Sequence, residues 1–197
     1  MQGTAPLAFS IDALNRATSG QATAMMDRIV ERSTWLAHRA AQARPFRNAD
    51  DLAAWLDTEV RSLSRDEALH LLCAHPELSP PDPSNMTSAS QSEQGRLDLL
   101  ALDAVAAAEL TDLNRQYSRR HGYPFIIALH EHDSLESVIA QFESRIAAEP
   151  GEELARALDQ VVSVMKARLK KLTGTDRSSR ELEPTTVTSA NSDGEVT

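Results

Sequence analysis

Two short segments near the middle of the chain carry side chains that could move protons on a small polar molecule. The first, His-Pro-Glu-Leu at 75–78, supplies an imidazole, and the second, Ser-Gln-Ser-Glu-Gln at 90–94, supplies hydroxyls, a carboxylate and carboxamides. Histidine has an unperturbed pKa of about 6.5, so it can take up and return a proton near neutral pH. An ionised carboxylate accepts hydrogen bonds from N–H groups, while hydroxyls and carboxamides both donate and accept them. These groups are suited to proton transfer and to orienting a substrate.

Helices are the elements that must position these groups. Hydrophobic residues make up 41% of the 197 residues but aromatic residues only 4%, and seven glycines are few for a β-rich protein. This composition favours helices, and the length suits one domain with its own core. We therefore predict an all-α, single-domain bundle of about seven or eight helices over residues 10–173. A flexible N-terminus (1–9) and a disordered acidic tail (174–197) are expected on either side.

The first segment is expected to follow directly after a helix. Ser64 and Glu67 have the spacing of a capping box, which predicts the start of a helix over 65–74. Pro76 then discourages His75 from continuing in helical geometry. His75 is therefore expected at the point where the helix passes into a loop.

The second segment is expected at the start of the next helix. Residues 79–88 contain three prolines and predict a loop. Apolar residues then repeat at helical spacing, which predicts one long helix from about 89 to 117 with the run 90–94 in its first turn. A last helix, predicted over about 150–172, carries Arg168 near its C-terminal end.

An apolar run follows the punctuating residues Gly122 and Pro124. Its composition is β-prone, but the run is too isolated to build a sheet. We predict an extended segment near 124–129 that packs between helices. Its backbone amides, which no helix uses, could bind carbonyl oxygens of a ligand. The run consists of Phe125, Ile126, Ile127, Ala128 and Leu129.

Charge, cysteine count and hydropathy narrow the class of protein. The formal net charge of −9 argues against nucleic-acid binding. A single cysteine, Cys73, excludes an intramolecular disulfide and fits a reducing compartment. No apolar run approaches the roughly 18 residues that span a bilayer, and residues 1–10 lack the pattern of a signal peptide. We expect a soluble cytoplasmic protein that binds neither nucleic acid nor membrane.

The order and spacing of these motifs resemble the OHCU decarboxylase family over about residues 10–172. OHCU is 2-oxo-4-hydroxy-4-carboxy-5-ureidoimidazoline, and enzymes of this family convert it to (S)-allantoin in urate degradation. The landmarks that carry the resemblance are Leu14-Asn15, Glu31, Ser33, Trp35, Arg44-Pro45-Phe46, His75-Pro76-Glu77-Leu78, Ser90 with Glu93-Gln94, Leu113-Asn114, Tyr117, Gly122-Tyr123-Pro124-Phe125-Ile126 and Arg168-Leu169.

The resemblance implies an all-helical lyase that needs no cofactor and no metal and forms a homodimer. It implies that His75 is the catalytic acid and base, with Glu93 as the second catalytic group. Arg168 would bind the anionic group of the substrate from the last helix. The rest of the substrate site would comprise Pro76, Ser90, Gln91, Ser92, Gln94, Phe125, Ile126, Ile127, Ala128 and Leu129.

The chemistry of OHCU agrees with a cofactor-free reaction. Its carboxylate and a hydroxyl share one ring carbon, and an imine lies beside that carbon. The imine can take up the electrons that are released with CO₂, so no metal or pyridoxal is required as an electron sink. The protein must supply proton transfer and orientation.

Each of these site residues also has a simpler, structural interpretation. His75 could only end a helix, and Glu93 and Gln94 could form a solvated first turn that the helix dipole favours. Arg168 could be structural, as Arg145 on the preceding helix is expected to be. The histidines at 70, 121, 130 and 132 form at most a weak zinc pattern with Cys73, because structural zinc usually has four closed ligands. Cys73 is instead expected to be a small buried hydrophobic residue.

Two alternative functions accompany the main hypothesis. The first is decarboxylation of a related ureido or imidazolone acid, and the second is a non-catalytic helical interaction protein on the same scaffold. The chain departs from the family pattern in Ser-Pro-Pro-Asp-Pro at 79–83 and in Gly95-Arg96. Both departures adjoin the predicted site, so they bear on substrate affinity.

Overall fold

The computed structural model describes the backbone of residues 9–180 and the side chains of residues 9–174. This part of the chain contains α-helices, two 3₁₀ turns at Pro83–Asn85 and Leu129–Glu131, and no strand, which confirms the all-α prediction. None of the helices in this part is long and apolar enough to cross a membrane. The α-helices are α1 (Ile11–Arg16), α2 (Ser19–Met26), α3 (Thr34–Gln42), α4 (Ala49–Arg61), α5 (Arg65–Cys73), α6 (Ser88–Gly95), α7 (Ala104–His121), α8 (Leu135–Ile146) and α9 (Pro150–Arg180).

The capping box that the sequence predicts is present at the start of α5. The Glu67 N–H donates to Ser64 Oγ at 3.3 Å, and the Ser64 N–H donates to Glu67 Oε2 at 2.9 Å. This reciprocal pair is the predicted capping box, and it satisfies two N–H groups that the first turn of α5 leaves free. Helix α5 ends at Cys73, so His75 lies just beyond its C-terminus.

The predicted helix from 89 to 117 is wrong, because two helices occupy this stretch. Helix α6 ends at Gly95, and α7 begins at Ala104. Asp103 causes the new start, since its Oδ1 accepts the N–H groups of Val105 and Ala106, each at 2.9 Å. The apolar periodicity continues between α6 and α7, so it does not reveal that one helix ends and another begins here.

The apolar segment, which was predicted to be extended, packs against two helices. Gly122 ends α7 with a φ of +85°, a left-handed conformation that glycine adopts without strain. The chain then turns into residues 123–128, which form neither helix nor strand and are buried except for the partly exposed Pro124. This segment passes α8 and α9, and both helices bond its backbone.

The termini of the described part differ in two respects from the expectations. Phe9 was expected in a flexible N-terminus, but it is 2% exposed and belongs to the hydrophobic core. Helix α9 continues to Arg180, past the predicted end near Leu172. The predictions for residues 1–8 and for the tail from 181 onward lie outside the described residues.

Candidate active site

Residues from four separate stretches of the chain line one small cavity of about 40 Å³. His75 and Glu93 both line it. The cavity lies where the loop after α5, helix α6, the extended segment and α9 meet. Its lining comprises His75, Pro76, Leu78, Ser90, Glu93, Gln94, Phe125, Ile126, Ile127, Leu129, Val164 and Arg168.

The His75 ring is held in one tautomer by the helix that precedes it. Its Nδ1 lies 2.9 Å from the backbone carbonyl oxygen of Leu71. Because a carbonyl only accepts hydrogen bonds, Nδ1 carries the proton, and Nε2 of the neutral ring keeps its lone pair. Burial lowers the pKa of His75, against the opposing effect of the Leu71 carbonyl. The neutral ring is therefore favoured at pH 7, with Nε2 as a proton acceptor.

Arg168 pairs with two carboxylates, of which Glu93 lines the small cavity and Glu31 does not. Its Nε and Nη2 donate to the two oxygens of Glu93, each at 2.7 Å, which is the bidentate geometry of a strong ion pair. Its Nη1 donates to Glu31 Oε2 at 2.8 Å. The Arg168 side chain is 8% exposed, Glu31 1% and Glu93 35%, so Glu93 is the partner nearer to solvent.

Glu31 is a site residue that the sequence analysis did not assign. Its Oε2 accepts hydrogen bonds from Ser90 Oγ at 2.9 Å and from Thr87 Oγ1 at 3.1 Å. These bonds fix the carboxylate against α6 and leave Arg168 as its counter-charge. The only signal in the sequence was its place among the landmarks of the family resemblance, since Asp27, Arg28 and Arg32 make the surrounding stretch charged rather than apolar.

Gln94 lines the cavity, yet both ends of its carboxamide hold the loop that follows His75. Its Oε1 accepts the Ser79 N–H at 2.8 Å, and its Nε2 donates to the Glu77 carbonyl at 2.9 Å. Asn114 Nδ2 supports the same loop by donating to the Leu78 carbonyl at 2.8 Å. In this structure Gln94 therefore fixes the backbone beside His75.

Three of the predicted site residues do not line this cavity. Gln91 Nε2 donates to the carbonyls of Pro83 and Met86, at 3.1 and 3.2 Å, and so holds the proline-rich loop. Ser92, two residues before Gln94 on α6, faces a neighbouring cavity. The Ala128 N–H donates to Gln160 Oε1 at 2.7 Å, so this amide is already bonded.

The neighbouring cavity is much larger, about 670 Å³, and shares Glu93 and Arg168 with the small one. The ion pair of these two residues thus stands between the two spaces. The large cavity has a mixed polar lining that comprises Asp27, Arg28, Glu31, Thr87, Ser88, Ala89, Ser92, Glu93, Arg96, His130, Ala167, Arg168, Lys171 and Leu172.

Of the residues of the weak zinc pattern, His130 lines the large cavity, and none lines the small one. Within the described residues, no group of three or more His, Cys, Asp or Glu side chains could hold a metal ion. Cys73 was expected to be buried but is exposed, with Sγ 3.8 Å from the Gly122 carbonyl oxygen. The helical position alone did not reveal which face of α5 it occupies.

Comparison with known proteins identifies the family. Residues 15–170 match the family described as OHCU decarboxylase. The chain belongs to the OHCU decarboxylase family. A relative from Haloferax volcanii, named 2-oxo-4-hydroxy-4-carboxy-5-ureidoimidazoline decarboxylase, is 31% identical over 161 residues, which cover 82% of this chain and 94% of the relative.

Two further proteins are similar to this chain. The Bacillus subtilis uric acid degradation bifunctional protein PucL is 30% identical over 164 residues, covering 82% of this chain and 32% of PucL. A crystal structure of (S)-allantoin synthase matches with a TM-score of 0.63 and 26% identity, covering 83% of this chain and 53% of that one. This chain thus spans about a third of PucL and about half of the solved synthase.

The two departures from the OHCU decarboxylase pattern are both tied to neighbouring structure. Arg96 Nη2 donates to the carbonyls of Leu129 and His132, which links the end of α6 to the cavity wall. In the loop, Asp82 accepts hydrogen bonds from the Ser84 backbone N–H at 3.0 Å and from Asn85 Nδ2 at 2.8 Å. Both departures therefore have defined contacts next to the site.

Proposed function

We propose that this protein decarboxylates OHCU to (S)-allantoin in urate degradation, without a cofactor. The observation that carries the proposal is that His75, Glu93 and Arg168 line one cavity in a chain of the OHCU decarboxylase family. Together they provide a proton acceptor, a hydrogen-bond acceptor and a cation for an anionic substrate.

In the proposed reaction, the bond between the ring carbon and the carboxylate breaks, and CO₂ leaves. The bonding electrons move into the bond towards the former imine carbon, and the imine nitrogen gains a proton from solvent. His75 Nε2 takes the proton of the hydroxyl on the carbon that lost CO₂, so that this carbon becomes a carbonyl. The same imidazole then delivers a proton to one face of the former imine carbon, which sets the S configuration.

We propose that the substrate carboxylate replaces Glu93 on Arg168. The cavity of about 40 Å³ has room for about three water molecules, at about 10–15 Å³ for each, whereas ligand sites usually measure ~300–1,000 Å³. Separating Glu93 from Arg168 would join the small cavity to the large cavity of about 670 Å³. Glu93 is the exchangeable partner, because Glu31 is buried and also bonded to Ser90 and Thr87. Once released, Glu93 can accept hydrogen bonds from the ureido N–H groups.

Two further properties are part of the proposal. We propose that the protein is a homodimer, as the family resemblance implies, and that it acts in the cytoplasm, as the single cysteine suggests. Size-exclusion chromatography with light scattering tests the first statement: a mass of one chain would refute it. Fractionation of the source cells tests the second, which recovery of the protein outside the cytoplasmic fraction would contradict.

The decisive experiment uses OHCU made in situ from urate, since OHCU also decays without an enzyme. We expect CO₂ release well above the spontaneous rate, and a circular dichroism signal of (S)-allantoin alone. A racemic product at the spontaneous rate would refute the proposal. Related ureido and imidazolone acids are assayed in parallel because Arg96 and the proline-rich loop adjoin the site, and faster turnover of one of them would identify a different substrate.

A further inference from the structure

A buried cluster of charged and polar side chains lies behind the cavity wall. Arg145 on α8 is 1% exposed, and Glu153 on α9 and Tyr117 on α7 are fully buried. The Tyr117 hydroxyl donates to Glu153 Oε1 at 2.6 Å, and Arg145 Nε donates to the same oxygen at 2.8 Å. The cluster thus ties three helices together at one carboxylate oxygen.

Arg145 connects this cluster to the wall of the cavity. Its Nη1 donates to the Ile126 carbonyl at 2.8 Å, and its guanidinium carbon lies 4.4 Å from the centre of the Phe125 ring. Ile126 and Phe125 both line the cavity, whereas Arg145 does not. Any influence of Arg145 on a bound molecule therefore passes through this backbone.

The contact fixes the direction of a backbone amide. The Ile126 carbonyl and the Ile127 N–H belong to one planar trans peptide group, so they point in opposite directions. With the carbonyl held towards Arg145, the Ile127 N–H points away from the cluster. Gln160 holds the following amide, that of Ala128, at 2.7 Å, so the orientation of the segment is fixed on both sides.

A purely stabilising role explains the cluster poorly. Buried ion pairs are often no more stable than well-packed hydrophobic residues of similar volume, because removing two charges from water is costly. Within the part of the chain that the structure describes, Glu153 Oε2 is buried without a hydrogen-bond partner, and Arg156 Nη1 lies 3.8 Å from it. The cluster therefore has an energetic cost that simple core packing would avoid.

The hydroxyl of Tyr117 is a firm hydrogen-bond donor in this cluster. Burial, with the bond to Glu153, raises the pKa of the Tyr117 hydroxyl well above its usual value. Tyr117 thus keeps its proton and donates to Glu153 Oε1.

We propose that Arg145, Glu153 and Tyr117 are positioning residues that hold the Ile127 N–H in place to bind a carbonyl oxygen of the substrate. This inference rests on the proposed decarboxylation and extends the site to residues that do not touch the substrate. It predicts that weakening the cluster affects binding and turnover more than its effect on folding would explain.

The test compares Arg145→Lys and Tyr117→Phe with a control in the distant core, Leu36→Ala on α3. Leu36 is fully buried, and α3 packs mainly on α2. KM and kcat for OHCU are measured at a temperature at which circular dichroism shows each variant folded. We expect KM to rise about tenfold in Arg145→Lys and about threefold in Tyr117→Phe, with Leu36→Ala close to wild type.

A second readout does not depend on turnover. In ¹⁵N-labelled protein, (S)-allantoin should shift the Ile127 amide resonance of the wild type, and this shift should shrink in Tyr117→Phe. Unchanged KM and amide shift in the variants would refute the positioning role while leaving the decarboxylation intact. An equal loss in Leu36→Ala would also refute it. Absence of activity in the wild type would instead refute the proposed function. If Arg145→Lys does not fold, Tyr117→Phe decides.

Discussion

Gln94 offers a sharp test of how the loop beside His75 is held. Gln94 makes two hydrogen bonds to this loop, to the Ser79 N–H and the Glu77 carbonyl. Ser79 has a φ of +49°, a left-handed conformation that costs a non-glycine residue about 1–2 kcal/mol. Gln94→Leu keeps the volume but removes both bonds, so Ser79 can relax to an unstrained conformation and the backbone next to His75 can shift.

The expected size of the effect follows from these contacts. Two hydrogen bonds contribute about 1–3 kcal/mol to stability in total, at about 0.5–1.5 kcal/mol each. A catalytic group displaced by about 1 Å can lose about a hundredfold in rate. We therefore expect Gln94→Leu to lower kcat/KM for OHCU by about 10- to 100-fold, or about 1.4–2.7 kcal/mol of transition-state stabilisation.

Gln91→Leu is the matched control. Gln91 lies on the same helix and also makes two hydrogen bonds to a loop, but that loop is the proline-rich one and Gln91 does not line the small cavity. We expect a similar loss of stability on urea unfolding, and kcat/KM within about threefold of the wild type. Both variants are assayed with OHCU made in situ, and rates are corrected for the folded fraction.

Three outcomes would contradict this reasoning. Equal rate losses in the two variants would mean that general destabilisation explains the effect. An unchanged kcat/KM in Gln94→Leu would mean that the loop keeps its position without Gln94. A higher KM with an unchanged kcat would indicate that Gln94 binds the substrate directly, as the family resemblance implied.

The remaining predictions concern the charges of the site. Because burial lowers the pKa of His75, turnover should stay constant as the pH falls through 6.5 and decline only below it; a decline centred at 6.5 or above would contradict this. Below pH 6.5, His75 binds a proton in the unfolded chain but not in the folded chain. The free energy of unfolding should therefore fall as the pH drops from 6.5 towards the lowered pKa of His75. This fall should be smaller in His75→Asn. Arg168→Met leaves Glu31 buried without its cation and should cost about 3–5 kcal/mol on urea unfolding. Glu93→Gln should cost ~1 kcal/mol or less on urea unfolding, because Glu93 is a third exposed. Equal losses of stability in Arg168→Met and Glu93→Gln would contradict the distinct roles of Glu31 and Glu93.

Local signals in the sequence predicted the parts of the fold that depend on neighbouring residues. The capping box at Ser64 and Glu67 was readable, because the groups involved lie within a few residues of one another. Gly122 was recognised as a break in the chain, but not as the left-handed residue that ends α7. The break between α6 and α7 was missed, because the apolar repeat continues across it while Asp103 begins a new helix. A single capping side chain outweighed the periodicity there.

Sequence motifs predicted which residues belong to the site, but not the contacts between distant parts of the chain. Ser90, Glu93 and Arg168 were named from the family resemblance, and the structure brings them together. Glu31 was a landmark without a role, because its bond to Arg168 spans 137 positions and no local pattern encodes that contact. The engagement of Gln94 with the loop at 77–79 likewise depends on tertiary packing.

In the proposed reaction, proton transfer depends on the His75 imidazole, which lines the cavity with its Nδ1 on the Leu71 carbonyl. The most direct measurement is the initial rate of (S)-allantoin formation from fresh OHCU, by circular dichroism at pH 7, for the wild type and His75→Asn. We expect the variant to stay helical and to lose about 10²- to 10⁴-fold in rate, the usual contribution of a general acid–base group. A folded His75→Asn variant that turns over within about threefold of the wild type would contradict the account.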